Sequence, residues 1–241
     1  MTGVGGGSLM TPLLVLLFGF HPATAVGTDL LYASVTKSVG TVVHHKGETV
    51  DWKIVGALAT GSVPAAIATL FVMSRVGTLD QHASGVLNVL LGAALLLTGI
   101  AVFFRPLILR WAASRFDTAH DETRIPRLTV LLGATLGVLV SVTSVGAGAL
   151  GTTALLILYP RLPVAKIAGS DIAHAVPLTL IAGLGHWMMG SVDFGLMAAL
   201  LVGSIPGIIV GSLLSSFSSD AVLRPVLAVT LLLVSVRLLI A

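Results

Sequence analysis

Gly27-Thr28-Asp29 and Gly169-Ser170-Asp171 are one short phrase written twice, 142 positions apart. Holding that offset and sliding along the chain brings His44 onto His186, Asp51 onto Asp193, Gly61-Ser62 onto Gly203-Ser204 and Pro64 onto Pro206. Gly6 falls on Gly148, Thr11 on Thr153, and Leu13, Leu14 and Leu16 on Leu155, Leu156 and Leu158. Between Gly5 and Ala68, 18 of 64 ungapped positions are identical, and the matches include Asp, His and Pro. Apolar composition alone would match Leu and Ala, but not these. The chain therefore reads as one unit duplicated.

Composition sets the solvent. Of 241 residues, 56% are hydrophobic and 10% charged, with a mean hydropathy of +1.05. A soluble domain carries about 25% charge. The shortfall extends along the whole chain, which predicts an all-α polytopic integral membrane protein. With no Cys, disulfides, thiolate metal sites and Cys nucleophiles are excluded. A net charge of +3 does not call for nucleic acid, because Lys and Arg lie in loops where orientation rules account for them.

The expected division is a first repeat over 1–104, a hydrophilic, cytoplasmic linker over 105–127 and a second repeat over 128–241. In the second copy a full apolar run, Leu128 to Val142, precedes the glycines. The first copy has only Met1 to Val4 there, so an opening helix is expected to be lost or cut away. Helices are expected over Leu30 to Val43, with Thr28 as N-cap, and over Ile172 to Trp187; His21-Pro22 reads as a turn and Tyr159 to Lys166 as a loop. Thr11 to Phe20 and Ala149 to Leu158 read as half-spans. Ten helical residues rise about 15 Å, half of a bilayer core. Each copy thus holds either a helix broken at mid-membrane or a hairpin. Basic residues cluster in Lys46 to Lys53, Arg105 to Arg127 and Arg161 to Lys166. Those loops do not correspond between the copies, which predicts inverted repeats.

Candidate chemistry follows from the same positions. Gly5-Gly6-Gly7-Ser8 and Gly146-Ala147-Gly148 interrupt apolar segments in both halves. Such interruptions free amides able to hold an anion, and paired ones point to a transporter site. Asp29 and Asp171 read as helix caps or as proton-linked carboxylates. Lys37 lies too deep to snorkel and reads as an anion ligand or as a structural partner of Asp29. His174 shares a helix face with Asp171, and either relays a proton or bonds to another helix. His44 and His186 read as interfacial anchors. Thr11, Thr152 and Thr153 supply hydroxyls. No metal-ligand spacing, cofactor motif or nucleophile elbow is visible, so no cofactor, metal site or enzymatic activity is expected.

Gly5-Gly6-Gly7, Pro12-Leu13-Leu14, the run His21 to Thr28, and Val50-Asp51-Trp52, with Gly169-Ser170-Asp171 and Val192-Asp193-Phe194 in the second copy, together resemble the sulfite exporter TauE/SafE family. The resemblance implies an inner-membrane, multi-pass permease of two related halves that moves sulfur-containing anions such as sulfite or organosulfonates. The expected function is a secondary anion transporter working by alternating access, with the substrate between the repeats. The alternatives are a passive anion channel and a non-transporting scaffold or partner subunit. The expected partners are the lipid bilayer and a small anion; homo-oligomerisation stays open.

Overall fold

The computed structural model describes residues 7–46, 48–76, 81–115, 124–215 and 220–240. Ten helices fill them: α1 Gly7–Leu16, α2 Pro22–Lys46, α3 Trp52–Val76, α4 Gln81–Phe103, α5 Arg105–Arg115, α6 Arg124–Thr143, α7 Ala149–Leu158, α8 Val164–Met188, α9 Phe194–Ser215 and α10 Asp220–Ile240. Shifted by 142, the bounds of α1 fall on those of α7, and the bounds of α2 on those of α8. A 25-residue helix such as α8 is about 37 Å long, enough to cross a bilayer at a tilt. Among the described residues, four helical stretches are both long and apolar enough to span, within α3, α4, α6 and α8.

The distribution of polarity suits lipid. Val39, Phe71, Leu131, Leu233 and other large apolar side chains face outward, while Thr28, Asp29, Ser62, Ser170, Asp171 and His174 are enclosed. In a bilayer the backbone is satisfied within each helix, and polar side chains must find partners inside the bundle.

Two helix starts differ from expectation. Pro22 opens α2 instead of making a turn, as suits a residue with fixed φ and no N–H to lose. Thr28 and Asp29 therefore lie inside α2 and cap nothing. Pro163 is the N-cap of α8, so Asp171 also lies about two turns inside its helix. The caps are the other duplicated acids: Asp51 Oδ1 accepts from the Lys53 amide (3.0 Å) at the start of α3, and Asp193 Oδ1 from the Leu196 amide (2.9 Å) at the start of α9. The stretch 105–127 is not all loop. It carries α5 and the start of α6, while 116–123 lie outside the described residues.

Glycines fix how the helices run. A Cβ at Gly27 would strike the Ser191 carbonyl, and one at Gly169 would strike the Thr49 carbonyl. Gly183 packs on Leu31, and Gly40 on Ile172. The start of each helix thus meets the end of the other, and α2 and α8 are antiparallel. So are α4 and α10, where Gly92 meets Ser235 and Leu239, and Gly99 meets Ala228 and Leu232. By contrast α3 and α6 run parallel, with Gly61 on Val130, Gly133 on Leu58 and Gly137 on Ser62. Small residues let these backbones approach closely. With these directions, Lys53, Arg105, Arg124, Arg127, Arg161 and Lys166 all fall on one side of the bundle, while Arg75 and Arg237 end α3 and α10 on the other.

Candidate functional site

The site is organised by a reversal between α6 and α7. Ser144 (φ 58°), Gly146 (φ 116°) and Gly148 (φ 122°) adopt left-handed backbone, which favours glycine at the latter two. The chain then doubles back. Leu139 packs on Gly146, Leu136 on Gly151, and the Thr129 and Tyr159 hydroxyls hydrogen-bond at 2.8 Å. The glycine interruption in the second half is a hairpin, not a kinked continuous helix. Gly5 and Gly6 lie outside the described residues. Gly7 opens α1, and Ser8 is helical with its side chain undescribed.

Two aspartates from antiparallel helices reach this reversal. Asp29 on α2 accepts hydrogen bonds on Oδ2 from Thr11 Oγ1 of α1 and from Ser144 Oγ of the reversal, both 2.7 Å. Asp171 on α8 lies against the start of α7, where the Gly148 backbone acts on its carboxylate. A Cβ at Gly151 would fall on Asp171 Oδ1, so glycine is needed for the carboxylate to reach α7. Both carboxylates are enclosed, at 0% and 1% exposure, and the Oδ1 of each has no hydrogen-bond partner. Lys37, two turns beyond Asp29 on α2 and half-buried, interacts electrostatically with both Asp171 and Asp29. Its setting is a shared position between two acids, wider than the Asp29 pair expected from sequence.

Other candidates are placed less simply. His174 Nε2 bonds Ser62 Oγ on α3 at 2.8 Å, leaving Nδ1 without a partner. This is the interhelical alternative, one turn from Asp171. His186 is no interfacial anchor: it is fully enclosed, and its Nε2 donates to the Ser141 carbonyl at 2.9 Å. The close approach of Gly27 to His186 Cβ holds the ring inside the bundle. The His44 side chain lies outside the described residues. Thr152 and Thr153 donate to the carbonyls of Gly148 and Ala149, so their protons are used within α7. Only their lone pairs remain for a ligand. Among the described residues, no group of three or more His, Asp or Glu is placed to hold a metal.

Sequence reasoning missed two features. Ser144 was not singled out as a partner of Asp29, although it immediately precedes the glycine reversal. The second is a reciprocal pair of hydrogen bonds: the Asp51 amide donates to Ser170 Oγ (2.8 Å), and the Asp193 amide to Thr28 Oγ1 (3.0 Å). The four residues stand at positions matched by the 142-residue offset, and the two bonds exchange their roles. That exchange was the available signal.

Comparison with known proteins follows the same lines. The sequence pattern of the family described as sulfite exporter TauE/SafE matches residues 1–238. A probable membrane transporter protein of Bacillus subtilis, YjnA, is 38% identical over 239 residues, covering 99% of this chain and 93% of its own. A second from that organism, YdhB, is 28% identical over 233 residues, covering 95% and 89%. A probable membrane transporter protein of Xylella fastidiosa is 27% identical over 225 residues, covering 90% and 79%. No solved structure matches the chain. An enclosed charged cluster at a glycine reversal inside an apolar bundle agrees with this match over nearly the full length: the chain is a multi-pass membrane transporter and belongs to the sulfite exporter TauE/SafE family.

Proposed function

We propose that the transported substrate is a small sulfur-containing oxyanion, sulfite or an organosulfonate, moved by alternating access between two antiparallel repeats. The observation that carries this reading is two enclosed carboxylates that meet the reversal, Asp29 at Ser144 and Asp171 at Gly151, with Lys37 acting on both. An intramembrane lysine with two acids is costly unless it serves a ligand or a proton path. Glycine-interrupted helices whose N-terminal amides face a cavity suit anionic groups. The family's name supplies the sulfur chemistry.

The repeats span 1–104 and 128–241, joined through 105–127. Equal helix bounds at one offset, antiparallel matched helices and the exchanged bonds of Thr28 and Ser170 support that division. One repeat rocks on the other, and the two exchanged bonds, at opposite ends of the α2–α8 seam, open in turn. The side rich in Lys and Arg faces the cytoplasm of a cell with this protein in its inner membrane. A cavity of about 510 Å³ on that side is lined by Lys53, Arg161, Tyr159 and Asp51, whose amide bonds the neighbour of Asp171. Its two cations raise the local concentration of anions at the entrance.

Flux of labelled sulfite and ethanesulfonate into proteoliposomes, with and without a pH gradient, tests this reading. Saturable uptake that follows the gradient is expected. Unsaturable uptake indifferent to the gradient would indicate a channel, and no uptake of any anion offered would leave a scaffold.

A further inference from the structure

We propose that Asp171 occupies, in this structure, the seat that a transported monoanion takes when Asp171 is protonated. This rests on the anion-permease reading above. The Asp171 carboxylate lies at the start of α7, within the influence of the Gly148 amide. Its Oδ1 is enclosed, unpartnered, and directed at the first turn of α7, where Gly151 has no side chain to obstruct it. An internal carboxylate thus fills a place suited to an oxyanion: an amide donor at a helix N-terminus beside a cation.

The two aspartates are held differently. Asp29 takes two hydroxyl donors, from Thr11 and Ser144, which come from side chains the substrate need not displace. Asp171 takes no such hydroxyl donor; its Oδ1 is unpartnered and lies against Gly151 in the first turn of α7. Asp171 is therefore the exchanging carboxylate, and Asp29 stays charged as the fixed counter-ion of Lys37. The groups facing Asp171 from its neighbours are few. They are Lys37 on α2 and His174 on α8, one turn along. The α7 helix has no titratable side chain. The charges of α3 and α6 sit near their ends, at Lys53, Arg75, Arg124 and Arg127.

Charge then sets the stoichiometry. With Asp171 ionised, Lys37, Asp29 and Asp171 sum to one negative charge. A proton taken up by the Asp171 carboxylate removes its charge from the start of α7, and an oxygen of the anion accepts the Gly148 N–H there. The enclosed charge is again one negative if the substrate is a monoanion. One proton thus accompanies one monoanion, and transport is electroneutral. A dianion such as sulfate would add a further buried charge and is disfavoured.

Ethanesulfonate is the probe, since its charge does not change with pH. In the purified native protein its apparent Kd should rise about tenfold per pH unit once Asp171 ionises, because one proton must be bound for each anion. In Asp171→Asn the Kd should be independent of pH, while in Asp29→Asn the slope should persist. Native proteoliposomes should show ethanesulfonate uptake unaffected by a potential imposed with potassium and valinomycin, a result independent of how the variants fold. A slope retained in Asp171→Asn, or uptake driven by the potential, overturns the exchange while leaving the permease intact. Absence of anion binding or uptake by the native protein overturns the permease reading, and the exchange with it.

Discussion

Replacing Lys37 by Met is expected to weaken ethanesulfonate binding by about 100-fold or more, and to reduce flux with it. The reason is charge balance in a dry interior. Lys37 interacts with both Asp171 and Asp29, whose carboxylates are 1% and 0% exposed. Removing one partner of a buried charge set leaves the remainder uncompensated and costs about 3–5 kcal/mol. At 1.4 kcal/mol per factor of ten, that is about two to three and a half orders of magnitude in an equilibrium constant. Met keeps the unbranched stem, so the loss is of charge and not of packing. The double variant Lys37→Met/Asp171→Asn separates folding from function. It removes one charge of each sign, so its thermal stability should recover towards native while its anion affinity should not. A Lys37→Met protein binding ethanesulfonate within threefold of native would remove Lys37 from the site.

The second large effect concerns the seam between α3 and α6. Gly133→Val is expected to lower stability by about 3 kcal/mol, the upper end of what overpacking usually costs. A Cβ there would meet the carbonyl oxygen, carbonyl carbon and Cα of Leu58, all of them backbone. No rotamer change can make room, so α3 and α6 must separate. Because α3 carries Ser62, the partner of His174, and α6 leads into the reversal, flux should fall as well. Gly56→Ala is the matched control. It lies in the partner helix α3 but faces open space, and Ala there is expected to stabilise by about 0.5–1 kcal/mol through helix propensity. Thermal unfolding in detergent reads both. Equal effects of the two substitutions would contradict the close parallel seam.

What was legible beforehand follows the same physics. The reversal at Ser144 to Gly148 was visible because left-handed backbone favours glycine, and glycine is easily seen in an apolar run. Most membrane segments were visible from hydropathy. The starts of α2 and α8 were misplaced because a hydroxyl followed by an acid resembles a cap; nothing local distinguishes Gly-Thr-Asp at a helix start from Gly-Thr-Asp two turns inside one. The proline starts at Pro22 and Pro163 were the better guide. Whether the break was a kink or a hairpin depended on Thr129 meeting Tyr159, a contact between helices. The same holds for Ser144 and Asp29, which are 115 residues apart. The setting of Lys37 between two acids was half readable: Asp29 shares its helix, whereas Asp171 approaches from α8. His186 was misjudged because its place near the end of α8 suggested water, while the Ser141 carbonyl and the close packing at Gly27 enclose it.

The native chain has no cysteine, so a single introduced thiol is the one thiol in the protein. Ser144→Cys places it at the reversal, beside Asp29. Its rate of labelling by N-ethylmaleimide in proteoliposomes, with and without ethanesulfonate, locates the substrate directly. The anion is expected to slow labelling at Ser144→Cys, with a half-effect at the concentration that half-saturates flux, and to leave labelling at Arg75→Cys unchanged. Labelling at Ser144→Cys unaffected by an anion that the same protein transports would place the site away from the reversal and contradict the account.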